Sequence, residues 1–312
     1  MMIEFNNKII YSFLSYPSNE KYNEYIKKLL DQNDYYEIIN FLKKNLILLR
    51  FIDKCKQNKI NLVKNFRILE KNEISRRNNI FKLADKINGI AKKNNFTVFF
   101  PKLFIHYPDI GNDLDLVVTN KVFLKKILNN FSYIREKRSF INYLSSKLNF
   151  SIDKFNVNLE VHKNNIGIFG EFHFLKKNFF KYPKKITKEK FEINTYNNAN
   201  LYTYFIIQRI YSHYSFRITD IIYFRKSLLN LEIYENLFNK TLSNKVVLQI
   251  YNYYNYNNSY PKYLNHESNI DFINWKLKII LVFDLFKLML YRFQFKSIFK
   301  ICVGILIYLL KK

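Results

Sequence analysis

Two carboxylates stand one residue apart at the head of an apolar run, Asp113 and Asp115 in GNDLDLVV. On a strand, residues i and i+2 share a face, so both acids project together while Leu114, Leu116 and Val118 turn toward a core. Crowded carboxylates raise each other's pKa unless a cation lies between them. Magnesium takes carboxylate oxygens together with waters and phosphates, which makes Mg2+, or Mn2+ in its place, the cation this pair suits. A solvated turn whose acids cap a neighbouring element is the structural alternative. Further along, NVNLEVH alternates Val157, Leu159 and Val161 with Asn158, Glu160 and His162. Such a strand offers Glu160 as a third carboxylate if it lies beside the first, with His162 on the same face.

The elements that must position these groups follow from hydrophobic periodicity. Residues 1–95 read as a helical N-terminal module: SNEKYNEYIKKLLDQ, with Ser18 as N-cap, YYEIINFLKK, LILLRFIDKCK and NNIFKLADKINGIAKKNN all place apolar residues three and four apart. Residues 96–190 change texture. FTVFF, LFIHY, LDLVV, FSYIRE, LNFSI and VNLEVH read as short strands around one helix, KVFLKKILNN, giving a small mixed sheet. Helical spacing returns over 191–312, so the expected class is α+β, with a small sheet core between two helical modules.

The order of acid and apolar run separates two chemistries. In the DxD motif of nucleotide-sugar glycosyltransferases the apolar strand precedes the acids, whereas here it follows them. DLDLVV, then a helix, then a strand with a lone acid in LEVH resembles the polymerase-beta-like nucleotidyltransferase fold, in particular its prokaryotic nucleotidyltransferase-like proteins. The likeness spans roughly residues 96–230 and takes in NNIGIFGEF and HYSFRITDIIYF. It implies transfer of a nucleotide from a nucleoside triphosphate to a hydroxyl acceptor. Asp113, Asp115 and Glu160 are then the catalytic and metal-holding residues, with Asp115 bridging two ions. It also implies that a helical face bearing His213, Arg217 and Asp220 closes over the nucleotide; from the residues alone, Arg217 and Asp220 read as a structural ion pair.

One departure is plain. Members of this fold carry a Gly-Ser or Gly-Gly pair before the acids, and this chain has neither. In the corresponding region stands FFPKLFIHYPDIG, where Lys102 can offer a point charge to phosphate. Lys102, Asn112 and His162 are the expected nucleotide-binding residues.

The chain carries 51 Lys+Arg against 25 Asp+Glu, a formal charge of +26, which suits an anionic partner or reflects an AT-rich coding bias. Residues 176–190, KKNFFKYPKKITKEK, interleave lysines with Phe179, Phe180 and Tyr182, as a phosphate-backbone contact or as a solvated linker. Cys55 and Cys302 form no metal or disulfide pattern, and His106, His173 and His266 no ligand spacing. These features, with no signal-peptide pattern, imply a cytoplasmic protein. The apolar runs IILVFDLFKLML and IFKICVGILIYLL read either as buried or oligomer-forming helix, or as helix lying in an anionic membrane surface. The expected function is metal-dependent nucleotidyl transfer. The alternative is a catalytically degenerate module of that fold that binds nucleic acid or membrane.

Overall fold

Side-chain caps start most of the early helices. Asn6 accepts from the Ile9 N–H to open α1 (Asn7–Ser15), Asn19 from Lys21 to open α2 (Glu20–Gln32), and Asp34 from Tyr36 to open α3 (Tyr35–Lys44). The cap of α2 is thus Asn19, one residue past Ser18, whose hydroxyl instead accepts from the Asn23 amide. Next come α4 (Leu48–Gln57), α5 (Lys64–Lys93), β1 (Asp113–Val118), α6 (Lys121–Leu128), β2 (Tyr133–Arg135), β3 (Lys147–Ile152), β4 (Val157–Lys163), β5 (Pro183–Lys188) and β6 (Phe191–Tyr196). The remainder comprises α7 (Asn198–Ile207), β7 (Ser215–Phe216), α8 (Ile218–Ser227), α9 (Leu242–Asn255), β8 (Leu264–Glu267), β9 (Ile270–Ile273) and α10 (Trp275–Tyr291).

The computed structural model describes residues 5–118, 120–137, 147–163, 183–188, 190–196, 198–227, 242–256, 264–267, 270–273, 275–291, 295, 298–299 and 302–303. They form an α+β protein of two units, residues 1–77, 104–110 and 214–277 in one, and 78–103, 111–213 and 278–312 in the other. Each unit draws on all three of the stretches 1–95, 96–190 and 191–312.

The second unit holds the mixed sheet, in the order β1-β4-β3-β2. β1 and β4 run parallel, while β4/β3 and β3/β2 are antiparallel. Alternation explains the packing: Leu148, Phe150 and Ile152 of β3 and Val157, Leu159 and Val161 of β4 are buried. FTVFF contributes only a single bridge, Phe99 to Val117, and LFIHY folds as turns. Pro101 and Pro108 bracket that region, and a proline nitrogen donates nothing to a ladder, so aromatic content there does not make strand.

The first unit is mostly helical, with a small sheet in the order β7-β9-β8. Phe13, Phe41, Phe51 and Phe66 are fully buried in it, and Cys55 is a buried free thiol that burial pushes up to about 12. The N-terminus of α4 reveals how the 104–110 segment is held. Its own N-cap, Ile47, has no side-chain acceptor. The Asp109 carboxylate takes that place, accepting from the Leu49 N–H at 2.7 Å and the Arg50 N–H at 3.3 Å. The Arg50 guanidinium in turn donates to the His106 and Tyr107 carbonyls at 3.1 and 2.7 Å. Burial raises the Asp109 carboxyl to about 7, against the opposing pull of Arg50 and the two amides.

Asp109→Ala is expected to destabilise the protein by about 2 kcal/mol in urea unfolding, through loss of a cap and of a buried charge partner. Asp109→Asn keeps an acceptor for Leu49 and should lose less. An equal loss for both would show that the cap contributes nothing.

Candidate metal and phosphate site

The parallel register of β1 and β4 sets Asp113 beside Asn158, Asp115 beside Glu160 and Val117 beside His162. Residues paired in a parallel ladder face the same side, so the two strands project a common row of polar groups. Glu160 therefore lies next to Asp115, as three converging acids require. One atom joins them: His162 Nε2 sits 3.0 Å from Asp115 Oδ1 and 2.8 Å from Glu160 Oε1. Two lysines complete the cluster. Lys102 Nζ donates to Asp115 Oδ1 at 2.9 Å, and Lys147 Nζ to Glu160 Oε1 at 2.6 Å.

Asp115 and His162 are buried, and Glu160 is partly so. Burial by itself would raise the Asp115 carboxyl, but the Lys102 charge and the His162 bond outweigh it and hold the group well below the usual carboxylate range. Glu160 is likewise lowered, burial being overcome chiefly by its bond to His162. Burial would depress His162 and Lys102; the acids reverse this and raise both. Asp113 stands apart. It is exposed at the start of β1 and makes no close contact with His162, and its carboxyl is raised by partial desolvation and then by the Asp115 charge. Gly111 leaves room for it, since a Cβ there would lie 3.3 Å from Asp113 Oδ1.

Two buried tyrosines lie within electrostatic reach of Asp115. Tyr196 of β6 stacks on Phe99 with ring centroids 5.5 Å apart and packs at a tilt against Tyr204 of α7 at 5.6 Å. Burial, and after it nearby negative charge including Asp115, raises both phenols well above 10, so each keeps its proton.

Of the residues singled out from the sequence, Asp115, Glu160, His162 and Lys102 come together, Asp113 lies beside them, and Asn112 is exposed just before β1. Lys147, Tyr196 and Tyr204 were not anticipated. Lys147 had a signal, because in KLNFSI it alternates with buried Leu148 and so shares a face with Glu160 of β4. The tyrosines had none, being two among 25.

His213, Arg217 and Asp220 do not share one helix. A π-helical turn ends at His213, β7 follows, and α8 begins at Ile218. Asp220 instead occupies the third position of α8 and accepts from the Arg217 N–H at 2.8 Å, the return half of a capping box. His106 is not incidental: its Nε2 lies 3.2 Å from Asp220 Oδ1, and both residues are buried. NNIGIFGEF, His173 and residues 176–182 lie outside the described residues.

Compared with family models, curated proteins and solved structures, the chain matches none.

A pH dependence follows from the charge cluster. The His162 value lies above its ordinary 6.5, so its contribution to stability is complete below about 6.5 and is lost as pH rises through the folded value. Asp115 and Glu160 lie below theirs, so their contribution is present above about pH 4.5 and is lost as pH falls toward the folded values. With chelator present, the melting temperature should decline above about pH 6.5. His162→Gln should flatten that decline, and an unchanged slope would remove His162 from the cluster.

Proposed function

We propose that the chain is a polymerase-beta-like nucleotidyltransferase, moving a nucleotide from a nucleoside triphosphate to a hydroxyl acceptor with a divalent metal. The observation that carries this reading is the register: Asp115 faces Glu160 across the β1/β4 ladder, with Asp113 two residues upstream on the same face.

The donor set suits a divalent cation. Asp115, Glu160 and His162 each offer a ligand atom, and these atoms lie within 4.8 Å of one another. Asp115 and Glu160, joined by Asp113, would hold Mg2+ or Mn2+; the imidazole among the donors favours manganese of the two. Such a metal, when bound, supplies a lowered pKa at the attacking hydroxyl and charge neutralisation at the triphosphate.

The remaining chemistry belongs to the chain's own residues. Three acids, Asp113, Asp115 and Glu160, stand beside two lysines, Lys102 and Lys147, and beside His162, whose pKa the acids raise. A bare dication competes with these lysines for the acids, whereas a dication carried by a triphosphate brings its own counter-charge. The preferred ligand is therefore the metal–nucleotide complex, for which Lys102 provides a phosphate counter-charge in the absence of a glycine pair.

The same pairing supports a second reading. Acids already satisfied by lysine and histidine, with no Gly-Ser loop, suit a degenerate module that keeps the fold without the transfer.

The two readings part on incubation with each labelled nucleoside triphosphate and Mg2+ or Mn2+. Catalysis predicts pyrophosphate release that Asp113→Ala lowers by about 100-fold or more. Because Asp113 is exposed, its melting temperature should hold. No pyrophosphate release and no triphosphate binding with either metal would leave only the degenerate module.

A further inference from the structure

The helix α10 buries one face and leaves the other to solvent. Leu277, Leu281 and Leu285, four residues apart, are buried. On the opposite side Ile279 and Ile280 are each 48% exposed, Phe283 63% and Leu290 53%. At ~100° per residue these positions and the exposed Lys276 and Lys287 fall within one arc of roughly 100°. Large apolar side chains scattered singly on a surface need no explanation, but a continuous helical stripe of them does.

The charge of the segment identifies what covers this stripe. From Trp275 to the last residue the sequence contains Lys276, Lys278, Lys287, Arg292, Lys296, Lys300, Lys311 and Lys312 against a single acid, Asp284. Two copies of such a face would bring like charges together. An anionic surface would not. Nor can the helix cross a bilayer: among the described residues no helix is long and apolar enough, and α10 has 17 residues with four charges. An amphipathic helix with lysines on its exposed arc and Phe, Ile and Leu between them is the form that lies in the headgroup region, with the lysine stems reaching up to the phosphates.

We propose that the Ile279–Phe283–Leu290 face of α10 docks on an anionic lipid surface. This holds whichever reading of the acid cluster is right, since it uses none of those residues. The lipid supplies both requirements at once, an acyl boundary for the apolar stripe and negative charge for the lysines.

The test is flotation of the full chain with phosphatidylcholine vesicles, with and without phosphatidylserine. The chain should float with the phosphatidylserine vesicles, release as salt is raised, and bind pure phosphatidylcholine at least about tenfold more weakly. The double variant Ile279→Glu, Phe283→Glu should lose about tenfold or more in binding with its melting temperature unchanged, since both positions are exposed. Lys276→Glu with Lys287→Glu should lose a similar amount. Failure of the parent chain to float, or equal binding by the Glu variants, would each overturn the proposal. So would a parent dimer that Phe283→Glu converts to monomer without any vesicle binding, which would assign the face to self-association.

Discussion

The parallel pairing of β1 with β4 is the constraint on which the polar face depends. Side chains alternate with a period of two, so a one-residue slip would turn Glu160 and His162 into the apolar layer and bring Leu159 and Val161 to the polar side. The apolar residues hold the register: Leu114, Leu116, Leu159 and Val161 are all essentially inaccessible to solvent. Hydrophobic burial on one side of the sheet thus decides which charged groups meet on the other. A buried carboxylate costs several kcal/mol unless it is paired, and Asp115 is paired twice, by Lys102 and by His162.

That pairing changes how the chain's overall charge is understood. The excess of +26, which counts histidine as neutral, does not come from the site, where three acids face two lysines and His162. It lies elsewhere, and the C-terminal segment carries a marked share of it, next to exposed apolar side chains. Local pairing of acids with bases and global positive charge are separate properties with separate consequences. The first favours a ligand that brings its own counter-charge, and the second favours extended anionic surfaces.

Polar groups serve a different purpose in the helical unit. Asp109 caps a helix whose own N-cap residue is isoleucine, and Asp220 caps α8 while facing His106. Asn45, fully buried, donates to the Phe41 carbonyl at the end of α3 and accepts from the Ile218 N–H at the start of α8. These are structural uses of residues that, read as isolated letters, resemble catalytic ones. Carboxylates at helix starts satisfy backbone donors that an apolar core cannot.

Local periodicity made much of this legible. The helices of the first hundred residues, the alternation in β3 and β4, and the acid pair at the head of β1 all follow from spacing, because side-chain direction on a helix or strand is set by the backbone within a few residues. Glu160 and His162 could be placed on a common face for the same reason. Spacing could not reveal that LFIHY would fail as a strand, where flanking Pro101 and Pro108 and the pull of Asp109 toward α4 outweigh aromatic content. It also joined His213, Arg217 and Asp220 in one helix, where the chain in fact breaks. The partners of the acids were decided only by the fold. Lys102 and Lys147 each lie 13 residues from the acid they bind, and His162 lies 47 from Asp115. Local sequence specifies which way a side chain points, whereas the strand order β1-β4-β3-β2, a product of burying one whole face of the sheet, specifies what it meets.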